Sequence, residues 1–173
     1  DEKGRKYYWK KGEFHSSLGT IKEVKNGLIK ANTNKEFLVL NANLIDNLEK
    51  LEKGAATTHF KEIGNILVYS GIDKESIVLE AGSGSGFLTI NLARFVKKVY
   101  SYEIKESFFE LVKRNLERLD IKNVVLKNQD IYEGIDEDNL DLIVLDLLEP
   151  WKCLKFIEKS LKKVNGIKEV SVN

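Results

Sequence analysis

The sequence predicts an α/β chain: a parallel, doubly wound sheet preceded by a small β module. Three observations carry this. From residue 77 onward, short apolar runs alternate with segments of helical period, which is the rhythm of successive βαβ units. A glycine-rich string, Glu80-Ala-Gly-Ser-Gly-Ser-Gly-Phe-Leu, separates the run Ile77-Val78-Leu79 from the apolar segment Thr89–Ala93. Residues 7–41 hold only short strand-like runs separated by turn residues.

In the first part, Leu18–Val24, Gly27–Ala31 and Glu36–Leu40 are the expected strands, and Asn26-Gly27 is a hairpin-type turn signal between two of them. Leu44, Ile45, Leu48 and Leu51 recur at helical spacing, so a connecting helix is expected over 42–52. Phe60, Ile63, Ile66 and Leu67 mark a second helix, stopped near Gly71. The alternation then begins with a strand at 77–81, a helix at 87–95 and a strand at 99–103. Phe108, Leu111, Val112, Leu116 and Leu119 place one apolar stripe on a helix over 105–119. A strand at 123–127 follows. Leu140–Leu145 is almost continuously apolar, as a strand covered on both faces requires. Pro150 suits the first turn of a helix running to about residue 163.

Composition narrows the class. There is one cysteine, Cys153, and there are two histidines. An internal disulfide is therefore excluded, a reducing cytoplasm is expected, and a zinc site is disfavoured. Cys153 reads as a small buried hydrophobe. No run approaches a membrane span of about 18 apolar residues, and no secretory pattern opens the chain. The net charge of +1 does not advertise nucleic-acid binding, but its distribution is uneven. Residues 1–61 carry 12 Lys+Arg against 8 Asp+Glu, and the remainder 16 against 19. This basic excess fits either a solvated tail or a contact surface for a polyanion. Trp9 fits either a core position of the β module or an RNA contact.

Gly82, Gly84 and Gly86 form G-x-G-x-G, which differs from the dinucleotide fingerprint G-x-G-x-x-G. In open α/β sheets ligands sit outside the carboxyl ends of the strands, and each strand here delivers a carboxylate there: Glu80, Glu103, Asp130 and Asp146. The glycine string with its leading acid resembles motif I of the class I S-adenosylmethionine (SAM) methyltransferases, a Rossmann-like fold. That resemblance implies SAM as cofactor. Glu80, Gly82, Ser83, Gly84, Gly86, Leu88, Glu103 and Asp130 are then the expected cofactor residues. Glu103, 21 residues beyond Gly82, suits a vicinal ribose diol. Asp130 suits the adenine amino group, and Glu80 the ammonium of the amino-acid end, directly or through water.

Asp146-Leu-Leu-Glu-Pro-Trp151 narrows the reading. It resembles the Asp-x-Pro-x-Pro-Trp string of the tRNA (adenine-N1)-methyltransferase family, with Leu148 where that family has proline. Tyr100-Ser-Tyr-Glu-Ile-Lys-Glu resembles its second-strand motif. Lys53–Gly64 resembles its cofactor lid, with His59-Phe60 in place of Tyr-Pro, and Phe14–Ile21 resembles its N-terminal module. The resemblance spans about residues 12–164. It implies methylation of adenine N1 at position 58 of the tRNA T-loop, possibly also 57, by a homotetramer, with Asp146 as the catalytic acid. Trp151 and His59 are candidate stacking partners for the substrate base. The alternatives are helix-to-sheet packing for Trp151 and a helix-start residue for His59. No metal is expected.

The expected division is a β module over 1–41, a connecting helix over 42–57 and a SAM-binding catalytic domain over 58–173. Two rivals stay open: a methyltransferase acting on a protein carboxylate or a small molecule such as a corrinoid, and an inactive SAM-binding subunit serving as an RNA scaffold. The chain contains no methionine, although usage of ~2% would give several, and it is short after the fourth strand. Residues are therefore expected to be absent from the string around 164–168.

Overall fold

The computed structural model describes residues 4–54, 58–163 and 171–172. The chain divides into two units, Asp1–Glu49 and Lys50–Asn173.

The first unit contains two antiparallel hairpins, β1 (Phe14–Ser16) with β2 (Gly19–Ile21), and β3 (Gly27–Lys30) with β4 (Glu36–Val39). The expected hairpin across Asn26-Gly27 is not formed, because β2 and β3 are not paired. The turn that closes β3 on β4 is built instead by residues 31–35. Ala31 N–H donates to Lys35 O at 2.9 Å, and Asn34 adopts the left-handed φ of 65° that asparagine tolerates. Asn32 joins the hairpins: its N–H donates to Thr20 O and its Oδ1 accepts from Thr20 N–H. Ile21, Ala31 and Phe37 are the buried centre, packed by Phe14, Leu18, Val24 and Ile29. Trp9 is partly exposed, and its indole N–H donates to Gly12 O.

The expected connecting helix is shorter than its apolar spacing suggests. It is α1 (Leu44–Glu49). Asn43 and Asp46 cap it reciprocally, Asp46 N–H to Asn43 Oδ1 at 2.9 Å and Asn43 N–H to Asp46 Oδ2 at 3.0 Å. Past it, residues 50–54 run beside α4 (Glu106–Arg118). Arg118 donates to Lys50 O, and Asn115 exchanges hydrogen bonds with the Glu52 backbone. Those partners replace helical ones, and the helix stops. Residues 55–57 of the expected lid lie outside the described residues.

The second unit is a five-stranded parallel sheet ordered β7-β6-β5-β8-β9. Its strands are β5 (Ile77–Ala81), β6 (Lys98–Tyr102), β7 (Val124–Lys127), β8 (Leu142–Leu145) and β9 (Ser171–Val172). The helices α2 (Phe60–Ser70), α3 (Phe87–Leu92), α4 and α5 (Leu154–Ser160) accompany them. Strand alternation decides the two faces. Leu79 and Ala81 join Ile143, Leu145, Cys153 and Ile157 in one apolar core, while Glu80 turns to the α3 side, where Thr89 meets it. The chain winds outward from β5 through β6 to β7, then returns to place β8 on the other side of β5. The crevice at this reversal is where such sheets bind ligands.

One further expectation is corrected. The helix after Pro150 begins as a 3-10 turn, Pro150–Cys153, and ends at Ser160, earlier than 163. It stops because Lys162 N–H and Ser160 O pair with the backbone of Leu140, and the Lys162 ammonium sits 2.7 Å from Asp141. The last strand lies parallel beside β8 as the sheet's next strand. The expected gap at 164–168 lies outside the described residues. No described helix is long and apolar enough to cross a membrane.

Candidate active site

The glycine turn exists because three residues there need left-handed backbone. Gly82, Gly84 and Gly86 have φ of 92°, 55° and 77°. At Gly82 the requirement is also steric: a Cβ would stand 2.2 Å from the backbone oxygen of Asp146. Parallel register creates that closeness. Asp146 N–H donates to Ala81 O at 2.9 Å and Gly82 N–H to Tyr102 O at 3.0 Å, so the turn is pinned between the ends of β6 and β8. Gly86, before α3, lies against Val112 of α4, with 2.9 Å between its virtual Cβ and a valine methyl.

The carboxylates gather around this turn. Glu103 is buried at the tip of β6. Its Oε2 accepts from Gly84 N–H and its Oε1 from Lys105 N–H, both at 2.9 Å. Each oxygen keeps a second lone pair for a diol. Glu80 is 1% exposed. Its Oε2 accepts from Thr89 Oγ1 at 2.7 Å and from Ser101 Oγ at 2.8 Å. Its carboxyl is raised to about 7: burial raises it most, the two hydroxyls oppose this, and the Asp146 and Glu103 charges add to the rise. Asp146 stands exposed just past β8. Asp130 is half-buried after β7, and its Oδ1 accepts from Tyr132 N–H at 2.9 Å. Among the described residues no cluster of His, Cys, Asp and Glu could hold a metal.

The Glu80 carboxyl keeps its proton longer in the folded than in the unfolded protein. Stability therefore falls as pH rises from about 4.5 to about 7, and the deficit is complete above that range. Glu80→Gln is expected to raise unfolding free energy by about 3 kcal/mol at pH 8 and to change it little at pH 4. Urea titrations at the two pH values check this.

The comparisons identify the chain's relatives. A model described as a methyltransferase domain matches residues 72–170. The tRNA (adenine(57)-N(1)/adenine(58)-N(1))-methyltransferase TrmI of Methanocaldococcus jannaschii is 30% identical over 96% of this chain and 71% of its own length. The chain belongs to the tRNA (adenine-N1)-methyltransferase family. TrmI of Thermus thermophilus is also 30% identical, over 94% of the chain and 69% of its own length. Two solved structures share the fold. A SAM-dependent O-methyltransferase from Thermotoga maritima has a TM-score of 0.75 at 28% identity, over 87% of this chain and 60% of its own. TrmI from Aquifex aeolicus has a TM-score of 0.73 at 23% identity, over 92% and 65%. The chain thus spans less than two thirds of the matched solved structures.

Set against this family, the expected site residues divide into those at the crevice and those turned away from it. Glu80, Gly82, Gly84, Gly86, Glu103 and Asp146 converge on the turn. The Ser83 hydroxyl points inward, 2.6 Å from Ser101 Oγ and 3.1 Å from Tyr102 O. Leu88 is buried in α3. His59 is exposed at the N-cap of α2, where its N–H donates to Glu62 Oε2. Phe60 packs edge-on against Phe87 with centroids 5.1 Å apart, which brings that end of α2 beside the glycine turn. Trp151 is 58% exposed, so the helix-to-sheet packing alternative is corrected, and Leu148 is 95% exposed. Cys153 is fully buried. Burial and then the Asp130 charge raise its thiol, which makes it a poor nucleophile.

Three residues escaped the sequence reading. Asn115 sits in the apolar stripe of α4, and that misplacement was its only signal. It is buried, donates to Ser85 O at 3.0 Å and Glu52 O at 3.1 Å, and accepts from Glu52 N–H, so it ties the glycine turn to residues 50–54. Asn115→Ala strands those groups and is expected to cost about 2–3 kcal/mol in a denaturation experiment. Asn128 donates to Glu103 O at 2.8 Å and holds the β7 exit against the end of β6. Tyr132 connects the Asp130 loop to the segment after β8, its hydroxyl accepting from Glu149 N–H at 3.3 Å.

Proposed function

We propose that this chain transfers a methyl group from SAM to N1 of adenine in the tRNA T-loop, at position 58 with 57 as a second target. The observation that carries the reading is the placement of Asp146. It is an exposed carboxylate beside the glycine turn, followed by the exposed apolar side chains Leu148 and Trp151.

SAM supplies an electrophilic methyl on a sulfonium. The residues present fit it: a tight turn made by left-handed glycines at the strand ends, and a run of acids suited to a ligand carrying ammonium and sulfonium charges. Glu103 would hold the ribose hydroxyls, Asp130 the adenine amino group and Glu80 the ammonium. Gly82, Gly84 and Gly86 would set the left-handed path of the turn whose backbone meets the cofactor, with Ser83 and Leu88 among the residues beside it. Adenine N1 already carries a lone pair, so no strong base is needed. Asp146 accepts from the exocyclic amino group, orients the ring and pushes electron density towards N1. It also disfavours guanine, which presents an oxygen at that carbon. Trp151 stacks on the extruded base, with His59 as the other candidate stacking partner.

The preserved glycine turn and Glu103 argue against an inactive scaffold subunit. The chain is read as acting in the cytoplasm as a homotetramer, with tRNA held in part by the basic first unit. Lys10, Lys11 and Lys22 are exposed there. Replacing all three by alanine should weaken tRNA binding and flatten its salt dependence, measured by filter binding at several salt concentrations. The activity is tested by offering labelled SAM with unmodified tRNA, an isoaspartyl peptide and a small carboxylate in parallel. Label in the tRNA alone supports the reading; label in the peptide or carboxylate and none in tRNA replaces it with an O-methyltransferase.

A further inference from the structure

Beneath the glycine turn lies a closed group of hydroxyls around Glu80, with one member from each of four segments. Glu80 comes from β5, Ser83 from the turn, Thr89 from α3 and Ser101 from β6, and all four are buried. The parallel register sets Glu80 opposite Ser101. Thr89 and Ser101 both donate to Glu80 Oε2, and their own oxygens are 3.2 Å apart. Ser83 Oγ lies 2.6 Å from Ser101 Oγ and 3.1 Å from Tyr102 O. Tyr102 O is also the acceptor for Gly82 N–H.

Proton counting gives this group two complete arrangements. With Glu80 ionised, Thr89 and Ser101 donate to the carboxylate, and Ser83 donates to Ser101 or to Tyr102 O. With Glu80 protonated, its proton goes to the Ser101 oxygen, Ser101 donates to Ser83, and Ser83 must donate to Tyr102 O. Every proton has an acceptor in both states, and the chain of donors reverses direction between them. The reversal ends on the carbonyl that pins Gly82.

We propose that Thr89 and Ser101 are positioning residues for the cofactor: their hydroxyls hold the Glu80 carboxylate in its ligand-accepting state and link it, through Ser83, to the backbone of the glycine turn. The proposal rests on the reading that this turn binds SAM. The charged groups facing Glu80 are the carboxylates of Glu103 from β6 and Asp146 from the end of β8. From α3, β6 and the turn it meets the hydroxyls already named. Two acids opposing its ionisation leave the hydroxyls as the groups that favour it.

Thr89→Val removes one hydroxyl at nearly constant shape, Thr89→Ser keeps it, and Ser101→Ala removes the other. Two quantities are measured on the full chain: the Glu80 carboxyl titration by carbon NMR without SAM, and SAM affinity by calorimetry between pH 5.5 and 8. Thr89→Val should move the Glu80 midpoint upward by about one pH unit, the effect of losing one hydrogen bond to a charged group. SAM affinity should then fall about five- to tenfold at pH 6.5 and less than about twofold at pH 8. Ser101→Ala should act in the same direction, and Thr89→Ser should restore the wild-type profile. An unmoved midpoint, with affinity lowered equally at every pH, would reduce both residues to packing and overturn the proposal. Failure of the unaltered chain to bind SAM at any pH would overturn the cofactor reading instead, and the NMR midpoints would still judge the hydroxyl group. Should Thr89→Val not fold, the comparison of Ser101→Ala with the unaltered chain decides.

Discussion

Gly82→Ala is expected to abolish SAM binding and to lower stability by at least about 2 kcal/mol. Two independent costs add. The backbone at Gly82 has φ of 92°, which an L side chain rarely adopts, and the new methyl carbon would stand 2.2 Å from the Asp146 carbonyl oxygen. The obstacle is backbone, so no rotamer change relieves it. The turn and the Asp146 segment must separate by about 1 Å, well beyond what close-packed neighbours give freely. The glycine turn and the Asp146 segment are displaced together, because one contact sets both. Gly64→Ala is the control. Gly64 lies inside α2 with nothing within 4 Å of its virtual Cβ, so alanine should stabilise the helix by up to about 1 kcal/mol. Calorimetric SAM titration and thermal unfolding of the two variants check the contrast.

Asp146→Asn is expected to lower kcat for tRNA at least about a hundredfold while leaving SAM affinity within about twofold. The side chain is exposed and its backbone N–H bond to Ala81 O survives the substitution, so the fold has no reason to change. Asparagine keeps the shape and a carbonyl acceptor but loses the charge to which the proposed mechanism assigns the push of density towards N1. Single-turnover kinetics beside equilibrium SAM binding separate the two effects. An unchanged kcat would remove Asp146 from the chemistry.

The sheet was legible because its central strands are apolar on both faces. Ile77–Ala81 and Leu142–Leu145 lie inside the expected strands, and their carboxylates emerge where alternation and strand ends put them. What sequence could not convey was pairing. The Asn26-Gly27 turn signal was sound chemistry without a partner strand: Gly27 opens β3 with φ of 111°, and the hairpin forms at residues 31–35. The connecting helix shows the same limit, since its apolar spacing continues to Leu51 but the backbone at residues 50–52 bonds to α4 side chains. At the site, the glycines and acids were legible as types at a spacing. The inward turn of Ser83 and the Glu80–Ser101 partnership were not, because both follow from the register of β5 on β6. Ser101, set between Tyr100 and Tyr102 in β6, was the visible trace of that partnership.

The most direct test of the account is methyl transfer from labelled SAM to unmodified tRNA, followed by nucleoside mass spectrometry of the digested product. The account predicts labelled N1-methyladenosine, located in the T-loop, formed by the chain and absent with Asp146→Ala. Label in a different nucleoside, or equal N1-methyladenosine from the Asp146→Ala chain, would contradict it.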